Sequence, residues 1–108
     1  MEEPQFISMI QLIQQMEKYH GKTVRVIGFA SLEFEGKALY VGRDDFENGI
    51  TKNAAWLDVK LTPETQELHK KYVIVEGEFD QDQLGHLKLF SGTITKVTRL
   101  ELWSAPKP

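Results

Sequence analysis

There is no cysteine among the 108 residues, which excludes disulfides, thiolate metal sites and a cysteine nucleophile. Long apolar runs are missing too: every stretch falls well short of the ~18 residues that cross a bilayer. Neither sign of charge dominates. Thirteen basic residues against sixteen acidic ones leave a net charge of −3, without long like-charge blocks. Met1-Glu2-Glu3-Pro4 is acidic where a signal peptide would be basic, so the expectation is a soluble, cytoplasmic chain with no membrane partner, a removed leader aside. What is present is ordinary for a globular protein. Hydrophobic residues at 41% and charged residues at 27% exclude disorder and fibrous repeats. The length suits one domain over 1–108, able to bury roughly two-thirds of its unfolded surface.

The N-terminal segment reads as one amphipathic helix over about 8–20. Ser8 followed by Gln11 has the spacing of a capping box, with Ile7 and Leu12 placed for a hydrophobic staple. Met9, Leu12, Ile13 and Met16 form the apolar stripe, and Gly21 supplies the stop. From Thr23 the period becomes two. Val24, Val26, Gly28, Ala30 and Leu32 point one way, and Arg25, Ile27, Phe29 and Ser31 the other. Gly28 in mid-strand marks a bend. Further strands are expected over Ala38–Val41, Asn53–Leu61, Tyr72–Asp80 and His86–Trp103. The last is interrupted near Gly92, and its apolar parity breaks once, the mark of a bulge. Gly42 to Lys52 reads as a polar connection with an Asn48-Gly49 turn. Thr62-Pro63-Glu64 opens a short helix that ends near Lys70-Lys71.

A helix, three strands, a short helix and two strands, with a long first strand bent at a central glycine, suit a small closed barrel that leaves no exposed edges. The fold expected is mainly β: a five- to six-stranded oligonucleotide/oligosaccharide-binding (OB)-like barrel over about 22–103, with a short tail over 104–108. Lys18-Tyr19-His20-Gly21-Lys22 running into Val24-Arg25-Val26-Ile27-Gly28 resembles the opening of small bacterial OB domains. Leu32 to Gly36, Gly49 to Asn53 with Trp56-Leu57, and Gly85-His86 through Phe90-Ser91-Gly92 extend the resemblance to a set of short bacterial OB-like proteins. That resemblance implies the fold and carries no activity with it.

No motif for catalysis or cofactor binding is present. If Gly49 held the sixth position of an EF-hand, Phe46 would occupy a ligand position and Ala55 the place of the bidentate glutamate. His20, His69 and His86 lack metal-ligand spacing, and none of Ser8, Ser31, Ser91 and Ser104 lies in G-x-S-x-G. The pairs Glu33/Glu35 and Glu76/Glu78 read as solvated strand faces. No cofactor or metal is therefore expected, and no catalytic residue is assigned.

The outward positions of the first three strands are more informative. Phe29, Tyr40 and Trp56 offer a stacking platform, with Arg25, Arg43 and Lys52 as cations around it. Two functions use such a face. The first is a non-enzymatic module for a protein partner or for self-association as a homodimer. The second is a binder of single-stranded nucleic acid or another extended ligand, which the acidic balance disfavours. A ligand site would gather the three cations; an interface would leave them at its rim.

Overall fold

The computed structural model describes residues 3–34 and 36–105. A two-residue strand, β1 (Gln5–Phe6), precedes helix α1 (Met9–Gln14). Ser8 Oγ accepts from the Gln11 N–H at 3.0 Å and Gln11 Oε1 accepts from the Ser8 N–H at 2.9 Å, completing the expected capping box. The helix does not run on to residue 20. Gln15 leaves helical geometry (φ −128°, ψ 45°), and a separate turn of helix, α2 (Met16–Tyr19), follows. The sheet sets this break. The Gly21 N–H donates to the Phe79 carbonyl and the Phe79 N–H to the Lys22 carbonyl. These bonds fix where the chain must arrive, and the kink lets Leu12 and Tyr19 both reach the core.

Five strands close the barrel: β2 (Thr23–Ser31), β3 (Ala38–Tyr40), β4 (Ala54–Leu57), β5 (Tyr72–Asp80) and β6 (Thr93–Leu102). Their order around it is β2-β3-β4-β6-β5, with β5 returning to β2. Only β4 and β6 run parallel within the ring, and helix α4 (Pro63–Gln66) lies between β4 and β5 in the chain. That is the closed, mainly β barrel expected, in an arrangement compatible with an OB-like fold. β1 adds a sixth strand, parallel to β2 through Gln5↔Val24 and Phe6↔Arg25.

The period-two reading places the interior correctly. Val24, Val26, Ala30, Leu39, Ala55, Leu57, Val73, Val75, Phe79 and Ile94 form the buried core, joined by Met9, Leu12 and Tyr19 from the N-terminal helices. A β-carbon on Gly28 would sit 2.7 Å from Leu39 Cγ and from the Tyr40 carbonyl oxygen; one on Gly77 would be as close to Ile94 and Thr95. Those absent side chains let neighbouring strands coil into closure. Opposite Gly77 the register of β6 shifts, with Lys96 in left-handed backbone (φ 49°), which is the expected bulge.

Three further strand or helix ends differ from expectation by more than one residue. β4 stops at Leu57 rather than Leu61, because the next backbone bond toward β6, from the Asp58 N–H to the Ile94 carbonyl, is the last. α4 ends at Gln66; Lys70 (φ 62°) then turns the chain so that its N–H reaches the Ala30 carbonyl. The final strand starts at Thr93, and 86–88 instead form a 3-10 turn.

Candidate functional site

Antiparallel pairing sets Phe29 beside Tyr40 and Tyr40 beside Ala54, with Ser31, Ala38 and Trp56 in the next outward row. The three aromatic residues singled out from the sequence therefore share one outer face. The face is not open. The connection after β3 folds into helix α3 (Arg43–Glu47), which lays Phe46 across it. The Phe46 ring centroid lies 5.5 Å from those of both Phe29 and Tyr40, the Tyr72 ring packs against Phe29 at 5.2 Å, and the Arg43 guanidinium stands 5.4 Å over Phe29. Phe29 is 1% exposed and Tyr40 7%. Neither can present a π face to a base, so the platform expected from them is a second core instead, built with Ala38, Ala54 and Phe90. Burial, with a smaller contribution from Glu33, raises the Tyr40 phenol above its ordinary pKa. The N-terminal helices instead send Met9, Leu12 and Tyr19 into the barrel core.

α3 was not foreseen. Its signals were present: Asp44 and Asp45 in a first turn, then Asn48-Gly49 with Gly49 in left-handed backbone (φ 66°) just past the end. One apolar residue in five, Phe46, gives too little periodicity to read.

Trp56 lies at the other end of the face and remains half-exposed. Two loops grip it. Lys37, from the β2–β3 loop, holds its ammonium 5.8 Å from the indole and donates to the Val59 carbonyl at 3.0 Å. From the β5–β6 loop, His86 stacks at 6.1 Å and 23°, and Phe90 packs at 5.2 Å. Gly85, at φ 71°, brings that loop so close that a β-carbon there would lie 2.8 Å from Trp56 Cβ. Leu87 and Lys88 are then both left-handed, at φ 54° and 57°. Such backbone costs a side-chain-bearing residue about 1–2 kcal/mol each. The result is a leucine 74% exposed, with Leu89 and, in the β2–β3 loop, Phe34 also exposed. Sequence reasoning missed His86, Leu87 and Phe90, because it read 86–92 as part of a strand.

The cations do not gather. Arg25 points outward from the half of β2 that lies between β1 and β5, where its Nη2 donates to Glu76 Oε1 at 3.4 Å. Arg99 Nη1 donates to Glu76 Oε2 at 3.0 Å, so Glu76 is bracketed by two guanidiniums instead of solvated. Hydrogen bonding from Arg99 first, then Arg25, holds its carboxyl below the ordinary range against the opposing pull of burial. Arg43 belongs to an open cleft of about 280 Å³ with Phe29, Phe46, Glu47 and Lys70. The Lys52 side chain is exposed, and its carbonyl accepts from Ser91 Oγ at 2.6 Å, pinning the β5–β6 loop to the α3–β4 connection.

The fold does bring His20 to Asp80 and Asp82, with potential ligand atoms within 4.8 Å of one another. Two of the three groups already have partners. His20 Nδ1 accepts from the Gln81 N–H, and the Asp80 carboxylate accepts from the Asp82 N–H and from Gln83 Nε2, which together keep its pKa low. The group is an exposed turn.

No protein-family model, curated protein or solved structure matches the chain. Among the described residues, no helix is long and apolar enough to cross a membrane.

Proposed function

We propose that this chain is a non-enzymatic binding module, related in architecture to short bacterial OB-like proteins, that engages a protein partner at the Trp56 rim. One observation carries the reading: the β5–β6 loop packs His86 and Phe90 on Trp56 while holding Leu87 exposed on left-handed backbone. An oligonucleotide needs a row of open rings and a run of cations. Here Phe29 and Tyr40 are covered, and Arg25 is committed to Glu76. A protein partner needs a few apolar anchors around a half-buried aromatic residue, with charges outside them. Leu87, Leu89, Phe34 and Trp56 supply the anchors, and Lys37 and Lys52 the polar margin.

Selection of a displayed peptide library on the folded protein tests this. Apolar peptides are expected to emerge whose affinity falls about tenfold or more with Leu87→Glu, a loss of at least ~1.4 kcal/mol. Peptides indifferent to both Leu87→Glu and Trp56→Ala, or none at all, would overturn the assignment of the rim.

A further inference from the structure

β6 leaves β4 early. The two strands pair only at Thr93 and Ile94, and from Thr95 onward β6 pairs with β5 alone. The Trp103 N–H donates to the Tyr72 carbonyl, so residues 103, 101 and 99 turn their backbone groups toward β5. By alternation Thr98, Leu100 and Leu102 turn theirs away. Among the described residues, none of these three N–H or carbonyl groups on that side has a backbone partner. Thr98, Glu101 and Leu102 are exposed there, Leu102 at 57%. Closing the barrel has thus left an open edge of about 14 Å along β6, a template for another strand.

The charges on that edge are of both signs, and they select a register. Two copies related by a two-fold axis pair antiparallel, and edge-facing residues must oppose edge-facing residues. Centring the axis on residue 99 puts Arg99 opposite Arg99, and centring it on 101 puts Glu101 opposite Glu101; both oppose like charges. Centring it on Leu100 sets Arg99 of each copy opposite Glu101 of the other, in the non-hydrogen-bonded positions where side chains come closest. It also lays exposed Leu102 against Thr98. Arg99 already contacts Glu101 of its own chain at 3.2 Å, so the crossing adds carboxylates and guanidiniums in equal number.

We propose that the partner for this edge is a second copy of the chain, joined through β6 with Leu100 on the two-fold axis. Thr98 lies five residues beyond Thr93, the position paired with Trp56, or about 17 Å along the strand. The edge is therefore separate from the Trp56 rim and does not rest on the function proposed for it.

Sedimentation equilibrium over a concentration series tests the pairing. Wild type is expected to dimerise reversibly, and Glu101→Arg, an exposed position, to weaken the dimer about tenfold or more by opposing like charges. Mixing Glu101→Arg with Arg99→Glu should restore association, since both cross-axis pairs become opposite again. Because the chain has no cysteine, Leu100→Cys gives a readout of register: mild oxidation should join two copies there, while Thr98→Cys, about 14 Å from its mate, should not cross-link. A wild type that stays monomeric at millimolar concentration, or a dimer unmoved by Glu101→Arg and cross-linked equally at 98 and 100, would overturn the proposal.

Discussion

Glu76 shows how much one side chain organises here. It is 13% exposed, faces outward from β5, and accepts from Arg25 on β2 and Arg99 on β6, so it ties three strands across the barrel wall. A carboxyl with its pKa lowered in the folded state adds stability above its unfolded pKa and loses it as pH falls through the folded value. Glu76→Gln should therefore cost about 2 kcal/mol at pH 7, the scale of a charged hydrogen bond lost. The gap to wild type should narrow as pH falls below about 4.3. Urea denaturation at a series of pH values checks both the size and the sign. Gly85 acts through space instead of charge. Gly85→Ala meets both the φ of 71° and the Trp56 side chain, so the loop should lift. In a Trp103→Phe background, the Trp56 emission should then shift to the red, with the global unfolding midpoint little changed.

At the scale of elements, α3 decides what the outer face can do. Five residues long, it places one ring over two others, and without it Phe29 and Tyr40 would be the open platform that their strand positions imply. Phe46→Ala should destabilise by about 2 kcal/mol, less than a fully buried phenylalanine because the ring is half-exposed, and lower the thermal midpoint by about 10 °C. Differential scanning calorimetry reads this directly. Elements were legible where a local signal was strong and uncontested. The Ser8 and Thr62 caps formed, β5 has its expected ends, and the parity break in β6 is a bulge at Lys96. The single N-terminal helix was misread because the backbone of Gly21 and Lys22 bonds to Phe79, nearly sixty residues away. No local periodicity records that demand.

For the molecule as a whole, charge distribution bears on the ligand class proposed. Among the described residues, Arg25 and Arg99 are paired with Glu76 and Glu101, and with a net charge of −3 no continuous basic track is left for a phosphate backbone. Fluorescence anisotropy of labelled single-stranded DNA and RNA should stay flat even at low salt. Binding that weakens along a log–log salt slope and is lost in Arg43→Ala would instead make the cleft beside Phe29 a nucleotide site.

By itself the sequence determined the barrel and its inside. Alternation from Thr23 assigns each strand a buried face because side chains project with a period of two, and Gly28 and Gly77 mark where strands must approach too closely for a β-carbon. It also determined the outward set Arg25, Phe29, Tyr40 and Trp56, since parity puts them opposite the core. Which of those residues meet solvent was decided only by tertiary structure. Covering Phe29 and Tyr40 depends on where α3 folds back. Gripping Trp56 depends on the β5–β6 loop, which brings His86 onto it from beyond the next strand of the chain, and committing Arg25 to Glu76 depends on the pairing of β2 with β5. Each is a contact between residues distant in the chain, and alternation along a strand carries no information about what arrives from elsewhere to lie upon it.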